Sequence, residues 1–261
     1  MAHEFDGGKY EQASAHQKEW GEKLIAEMDF RGDERVLDLG CGDGALTARI
    51  AGFLPGGKVI GIDASRGMTD VALGKSRDNL NFLLMDIDDL DFAGLFDLVF
   101  SNATLHWVKD HTRLLANVRR SLREGGVLRF DFAGDGNCSR FFKVIREAMA
   151  DGPFSKYFTA FQRPWYMPPV EEYKHLADGC GLADVRVWGE NGDRFFVDKE
   201  AMIRWVDQPS LVPFLSRVDE SDRGAFRDLV VRRMVEETLQ PDATCLETFR
   251  RINVFARKGP G

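Results

Sequence analysis

A glycine-rich turn, Asp38-Leu39-Gly40-Cys41-Gly42-Asp43-Gly44, carries the clearest chemical signal in this sequence. The apolar residues before it predict a buried strand, and the segment from Ala45 onward predicts a helix. Glycine is required at such a strand-to-helix turn where a ligand approaches the backbone too closely for a Cβ atom. The turn therefore predicts a binding site for a nucleotide-like cofactor.

The carboxylate of Asp38 indicates which cofactor this is. With Ala45, the glycines also satisfy the G-x-G-x-x-G/A dinucleotide fingerprint. A pyrophosphate beside Asp38 would face a like charge, which is unfavourable, whereas S-adenosylmethionine has no phosphate and carries a sulfonium and an ammonium group. The loop therefore predicts S-adenosylmethionine, with S-adenosylhomocysteine as the product. A dinucleotide-dependent oxidoreductase is the disfavoured alternative, because no hydride-transfer dyad is recognisable either.

Two further acids end the next two predicted strands. Asp63 follows Gly61-Ile62 near the distance at which an acidic residue meets a ribose diol in such folds. Asp86 can accept the exocyclic amine of adenine, while Ile87 and Met68 pack on the ring. Each acid alone would as often be a turn residue or a helix cap. The set in this order predicts one crevice at the carboxyl ends of three neighbouring strands.

These motifs resemble those of the class I methyltransferases. The loop, Asp63, Asp86 and the segment Phe96-Asp97-Leu98-Val99-Phe100-Ser101-Asn102-Ala103 match that superfamily, strongly over residues 5–132 and in outline beyond. The resemblance implies a seven-stranded Rossmann-like sheet whose last strand, residues 249–258, runs antiparallel. The expected cofactor contacts are Tyr10, Asp38, Gly40, Cys41, Gly42, Asp63, Ala64, Met68, Asp86, Ile87, Asn102 and Ala103.

Two short stretches resemble carboxylate methyltransferases more closely. Residues 10–17, Tyr10-Glu11-Gln12-Ala13-Ser14-Ala15-His16-Gln17, are similar to the N-terminal Y-x-x-A-x-x-x-Q of juvenile hormone acid methyltransferases. Leu105-His106-Trp107-Val108 is similar to their L-H-W-V. The chain also resembles the trans-aconitate and malonyl carrier-protein methyltransferases of bacteria, which likewise methylate carboxylates. The resemblance implies that Tyr10 lies near the methionine end of the cofactor, while Gln17 and Trp107 face the acceptor carboxylate.

Methyl transfer from a sulfonium is an in-line displacement, so the protein must mainly align the reactants and exclude water. A carboxylate is already a nucleophile at neutral pH and needs no base. It needs neutral donors, such as the Gln17 amide and the Trp107 indole N–H. His106 could be a third donor, or the base for a hydroxyl or amine acceptor. Two alternatives to carboxylate methylation therefore stay open. One is a methyltransferase of the same fold that acts on nitrogen, carbon or a phenolic oxygen, and the other is a catalytically idle protein that binds the cofactor.

The elements that must position these residues alternate along the chain. Short apolar runs predict strands at residues 35–40, 58–64, 80–86, 96–103 and 127–132, and the stretches 45–54, 67–75 and 112–122 predict helices. We expect Gly125-Gly126 to end the last of these helices. Further helices are predicted at 14–28, 139–149, 199–208 and 223–239, and a strand at 184–187 that extends toward 195–196. This alternation is typical of an α/β fold with a parallel sheet and helices on both faces.

We expect four segments in the chain. Residues 1–34 form a helical segment over the cofactor, and residues 35–196 form the core, with an aromatic lid at 153–169. Residues 197–247 form a helical cap, and residues 248–261 return to the core as its last strand. Loops as long as the lid are usually functional. Trp165 and Tyr166 in the lid are the candidate substrate-binding residues, and they favour an apolar or extended acceptor.

Composition excludes several other functions. The formal net charge of −7 disfavours a nucleic-acid partner, because phosphate binding depends on clustered Lys and Arg. The N-terminus shows no charged start followed by an apolar core, and no apolar stretch is long enough to span a membrane, so we expect a cytoplasmic protein. Its 4 cysteines are scattered and its 5 histidines form no H-E-x-x-H, so we expect no metal. The expected partner is a small carboxylic acid, bound by a monomer or a weak homodimer.

Overall fold

The computed structural model describes residues 15–259, without the side chains of residues 15–17, 208 and 209. Its strands are β1 Arg35–Leu39, β2 Lys58–Asp63, β3 Leu80–Leu84, β4 Phe96–Asn102, β5 Leu122–Ala133, β6 Ala183–Asn191, β7 Arg194–Phe196, β8 Cys245–Glu247 and β9 Arg250–Arg257. Its helices are α1 Ala15–Ala26, α2 Ala45–Gly52, α3 Arg66–Leu73, α4 His111–Ser121, α5 Ser139–Ala150, α6 Val170–Asp178, α7 Lys199–Trp205, α8 Val212–Leu215 and α9 Glu220–Thr238. Short 3₁₀ turns lie at Ile87–Asp89, Leu105–Trp107 and Ser155–Tyr157, and a π turn lies at Val206–Ser210.

Seven strands form one sheet in the order β3-β2-β1-β4-β5-β9-β6. The strands from β1 to β5 pair in parallel, and β9 pairs antiparallel with β5. The predicted sheet with an antiparallel last strand is therefore confirmed. The chain leaves β1 toward β2 and β3 and returns to add β4 and β5 on its other side. In open α/β sheets ligands bind in the crevice at such a switch point, outside the carboxyl ends of the strands.

Both faces of the sheet are covered by helices, because its central strands are apolar on both sides. All seven residues of β4 are buried, as are the last four of β1. Leu37 and Val99 belong to one core with residues of α4 and α6, whereas Val36 and Phe100 belong to a second core with residues of α1 and α2. Parallel strands buried on both faces read as continuous apolar runs, which explains why they were predictable.

The junction between α4 and β5 differs from the sequence prediction. The expectation that Gly125-Gly126 ends the helix is wrong, because α4 ends at Ser121 and β5 begins at Leu122. Leu122 is buried and pairs with Phe96, so the chain enters the sheet at once. Gly125, at φ +74°, belongs to the strand, where the register shifts. The 170–178 helix and the short strand β8 were not predicted, and the predicted strand near 184–196 is two separate strands, β6 and β7.

The described chain forms two compact units. The first holds the seven-stranded sheet and takes in the residues up to 135, 165–190 and those from 251 onward. The second comprises residues 136–164 and 191–250, with four helices and the β7–β8 pair. The expected cap at 197–247 falls within the second unit. So does part of the aromatic stretch, where Phe154 and Phe158 pack on Phe226. Within residues 15–259, no helix has the length and apolar character needed to cross a bilayer.

Candidate functional site

The glycine-rich loop follows β1 and is tied to β2 by its backbone. Gly40, Gly42 and Gly44 have φ angles of +70°, +56° and +78°, which L side chains rarely adopt. The N–H groups of Gly40 and Cys41 donate to the carbonyl of Ile62 at 2.8 and 3.0 Å. The Gly42 N–H donates to Oδ2 of Asp63 at 2.9 Å. These bonds fix the loop beside the end of β2.

Two of these glycines serve different purposes. A Cβ atom on Gly40 would overlap the side chain of Thr104, whose Oγ1 donates to the Gly40 carbonyl at 3.0 Å. A Cβ atom on Gly42 would meet no atom within 4 Å. Gly40 is therefore required by packing inside the protein. Gly42 borders open space, as expected of a cradle that a ligand fills.

Asp38 lies near the end of β1, just before the glycine loop. Its side chain is buried, and its Oδ2 accepts a hydrogen bond from Oγ1 of Thr47 in the first turn of α2, at 2.7 Å. Burial, opposed by the Thr47 hydroxyl and assisted by the nearby Asp63 carboxylate, raises the pKa of Asp38 to about 7. A cation bound nearby would favour the ionised form and lower this pKa.

Asp63 joins the two loops that follow β1 and β2. Its Oδ2 holds the Gly42 N–H, and its Oδ1 accepts the Ser65 N–H at 2.9 Å. Ser65 caps α3 through the N–H of Met68. The half-buried Ala64 lies between these two polar residues. The carboxylate therefore connects the two loops, and each of its oxygens already accepts a hydrogen bond from a backbone N–H group.

Asp86 follows β3 at the same edge of the sheet. The preceding residue, Met85, donates its N–H to the carbonyl of Asp63 at 2.9 Å. Asp86 itself is exposed, and its Oδ1 accepts the Asp88 N–H at 3.1 Å. Ile87 is buried in the core. The apolar and acidic residues expected around an adenine ring thus follow adjacent strand ends.

The end of β4 lies at the same edge of the sheet as the ends of β1 and β2. Asn102 is buried, and Ala103 has φ +57°, a left-handed conformation that is uncommon for a residue with a Cβ atom. The Ala103 N–H donates to the carbonyl of Asp131 on β5 at 2.7 Å. Cys41, in the glycine loop, is buried, and burial together with the Asp38 and Asp63 carboxylates raises the pKa of its thiol. A thiol held protonated in this way is a poor nucleophile.

An aromatic group lies after β4. The turn Leu105–Trp107 places the ring centroid of Trp107 5.3 Å from that of Trp165 and 5.7 Å from that of His106. The Tyr166 N–H donates to the His106 carbonyl at 2.8 Å. Residues far apart in sequence are thereby brought together. The predicted residues His106, Trp107 and Trp165 form one cluster.

His106 is neutral in this setting. Burial, together with the nearby charge of Arg251, lowers its pKa to about 3. Its Nδ1 is buried and has no hydrogen-bond partner in the described part of the chain. At physiological pH it is therefore an uncharged imidazole with little basicity.

Tyr166 turns toward the core. Its hydroxyl donates to Oε1 of Glu172 at 2.8 Å, and its ring lies 4.8 Å from the imidazole of His111. His111 is buried and hydrogen-bonded to Tyr173. A substrate contact by Tyr166 stays a prediction.

The remaining predicted residues lie at the N-terminus. Tyr10 lies outside the described residues, and Gln17 lies in α1 with its side chain outside them. Lys18, the next residue, places its Nζ 2.9 Å from Oδ2 of Asp43 in the glycine loop. A Cβ atom on Gly21 would overlap Leu46 of α2. Helix α1 therefore packs closely against the start of α2.

A buried polar group on β5 and β9 was not predicted. Nε of Arg251 donates to Oδ1 of Asp131 at 2.9 Å, and its guanidinium carbon lies 4.4 Å from the ring centroid of Trp20 in α1. Two alternate residues of the apolar run Leu128-Arg129-Phe130-Asp131-Phe132 are charged. This was the signal that sequence analysis missed, because a charged residue in a core strand needs a partner.

The comparisons with known proteins agree with this geometry. Residues 37–130 match a methyltransferase domain family. A trans-aconitate 2-methyltransferase of Deinococcus radiodurans is 35% identical over 210 residues, 79% of either chain. One of Methylobacterium radiotolerans is 31% identical over 242 residues, 90% of this chain and 91% of the relative.

A solved structure shares the fold. Phosphoethanolamine N-methyltransferase 2 of Haemonchus contortus, in complex with S-adenosyl-L-methionine, superposes with a TM-score of 0.61 at 20% identity. The match covers 97% of this chain and 57% of that one, so this chain spans little more than half of its length. Among the described residues, no group of three His, Cys, Asp or Glu side chains could hold a metal ion. The chain belongs to the class I S-adenosylmethionine-dependent methyltransferases.

Proposed function

We propose that this protein methylates a carboxylate oxygen of a small organic acid. The observation that carries the proposal is the similarity of this chain, over 79% and 90% of its length, to two relatives named for methylation of trans-aconitate. The pKa of His106, lowered to about 3 by burial and by the charge of Arg251, supports it. An imidazole this weakly basic is a poor base for a hydroxyl or amine acceptor, whereas a carboxylate needs none. The relatives at 35% and 31% identity are named for methylation of trans-aconitate, which supports an acid of that kind as the acceptor.

On the cofactor side, the open space at Gly42 fits S-adenosylmethionine, which supplies an electrophilic methyl carbon on its sulfonium. We assign the ribose diol to Asp63 and the adenine amine to Asp86, with Met68 and Ile87 against the ring. Asp38 contributes a buried negative potential at the start of the loop. Tyr10 is assigned to the methionine end.

On the acceptor side, Gln17 and Trp107 orient the carboxylate with neutral donors. A neutral donor holds the oxygen in line without quenching its charge, and alignment of the reacting atoms supplies most of the rate. Trp165, packed on Trp107, gives this side an apolar wall that excludes water. The reaction as proposed needs no metal, and we place it in the cytoplasm, in a monomer or a weak homodimer.

An acceptor panel tests the proposal. The protein is incubated with methyl-labelled cofactor and small carboxylic acids, phenols and amines, and products are identified by mass spectrometry. We expect label on carboxylic acids, trans-aconitate among them, released as methanol by mild alkali because it is an ester. Label on a phenol or an amine, stable to alkali, would contradict the proposal.

A further inference from the structure

Arg251 stands at the edge of the sheet where β4 and β5 end. In the antiparallel pair it lies opposite Ala133, the last residue of β5, and its guanidinium is bound to Asp131. The backbone carbonyl of Asp131 accepts the Ala103 N–H, three residues before His106. One aspartate thus holds both the arginine and the chain segment that leads to His106.

Two polar atoms at this edge, Nη1 of Arg251 and Nδ1 of His106, have no hydrogen-bond partner among the described residues. Nε and Nη2 of Arg251 both donate to Asp131, and the guanidinium lies over the ring of Trp20. Within the described part of the chain, these interactions leave the Nη1 amino group without an acceptor. His106 Nδ1 likewise has no partner among the described residues. Buried polar groups are rarely left unpaired in proteins, so His106 Nδ1 points to a ligand. Arg251 is close enough for its charge to lower the pKa of His106, so its Nη1 amino group is available to the same ligand.

Three charged side chains at this edge of the sheet are buried. The side chains of Arg251, Arg129 and Asp131 are exposed by only 4%, 4% and 3%. The partner of Arg129 is Glu27, whose side chain is 44% exposed and therefore screened by water. Glu190 is also partly exposed and is paired with Lys23. Arg129 is thus paired within the protein, and Asp131 is the buried carboxylate that pairs with Arg251.

A guanidinium suits a carboxylate that is not reacting. Its fork of N–H donors matches carboxylate geometry, and such charge-assisted bonds are strong. The same strength would stabilise a reacting carboxylate in its ground state and slow its attack on the methyl group. We propose that Arg251 is a specificity-determining residue that binds a carboxylate of the acceptor other than the one that is methylated. The proposal rests on the proposed function.

The test compares two acids that differ in their number of carboxylates, trans-aconitate with three and crotonate with one. We expect Arg251→Gln to raise KM for trans-aconitate roughly 10- to 100-fold, because a charge-assisted hydrogen bond is lost. Its kcat on trans-aconitate, and its kcat/KM on crotonate, should change less than about threefold. Affinity for S-adenosylhomocysteine, measured by calorimetry, should not change, and Arg251→Lys should recover part of the loss.

Arg129→Gln is the matched control. Arg129 is as buried as Arg251, is paired with a carboxylate and stacks on a tryptophan, Trp188, at 4.8 Å. It also donates to the side-chain oxygen of Asn253, so its donors are occupied within the protein. We expect Arg129→Gln to lower thermal stability and to change KM for trans-aconitate by less than about threefold.

Three results would overturn the role of Arg251. These are an equal loss on both acids, the same KM change in Arg129→Gln, and an equal KM of the wild type for both acids. If Arg251→Gln does not fold, the proposal is tested by inhibition of the wild type with two unreactive acids, tricarballylate, which has three carboxylates, and butyrate, which has one. We expect tricarballylate to inhibit at least about tenfold more strongly, and equal inhibition contradicts the proposal. A wild type that methylates no carboxylic acid contradicts the proposed function itself.

Discussion

The cofactor side and the acceptor side of this sheet are built in different ways. On the cofactor side, several contacts join residues close in sequence, such as Asp38 with Thr47 and Gly42 with Asp63. On the acceptor side, Asp131 pairs with a residue 120 positions away, Arg251, and α1 contributes Trp20. A shared cofactor fixes short motifs, whereas the acceptor site that we propose uses residues that only the complete fold brings together.

The largest expected effect is a loss of cofactor affinity in a variant that still folds. Gly42→Ala should weaken binding of S-adenosylhomocysteine by at least about 100-fold, because its Cβ occupies the open cradle, at a cost in stability of only about 1 kcal/mol for its left-handed φ. Calorimetric titration and thermal unfolding measure the two quantities. Gly40→Ala is the control, and its overlap with Thr104 should instead unfold the domain. Normal cofactor affinity in folded Gly42→Ala would remove this loop from the site.

A smaller effect is expected on the acceptor side. Trp107→Phe should reduce kcat roughly 10- to 100-fold and leave cofactor affinity unchanged, because a positioning donor is lost. Steady-state kinetics at saturating cofactor measures this. The control is Trp188→Phe on the edge strand β6, which should change kcat by less than about twofold. Equal losses in both variants would mean that Trp107 acts only through packing.

A pH effect of about tenfold is expected at Asp38, whose pKa is raised to about 7. Its protonated form predominates below that pH, and the cationic cofactor favours the ionised form. Affinity for S-adenosylmethionine should therefore rise about tenfold from pH 6 to pH 8. Asp38→Asn keeps an acceptor for Thr47 and should abolish the rise. An equally steep rise in that variant would place the titrating group elsewhere.

The smallest expected effect concerns stability. Burial lowers the pKa of His111 to about 4, so the unfolded chain binds more protons than the folded chain between that value and the ordinary pKa of histidine. Stability should therefore fall as pH falls through this range, by about 1 kcal/mol from His111 between about pH 6.5 and 5.5. Chemical denaturation measures it. His111→Gln should flatten this dependence, and the exposed His175→Gln should not. An unchanged slope in His111→Gln would exclude a contribution from His111.

The parallel core is predictable because β1 and β4 are continuous apolar runs, and the glycine loop is predictable because its residues are contiguous. Gly125-Gly126 was misassigned, since glycine at φ +74° occurs at a strand irregularity as well as at a helix end. Arg251 and Asp131 were missed because they lie on strands paired only in the folded sheet. The hydrogen bond of the buried Asp38 carboxylate to Thr47 also depends on the fold, and its contact with the cofactor stays a prediction.

The central claim is that the acceptor side provides no general base. It is tested most directly by the pH dependence of kcat at saturating cofactor and trans-aconitate, in the wild type and in His106→Gln. With the pKa of His106 at about 3, kcat should stay constant within about twofold from pH 6 to pH 8.5 in both proteins. A wild-type kcat that rises through about pH 6.5, with the rise lost in His106→Gln, would contradict the account.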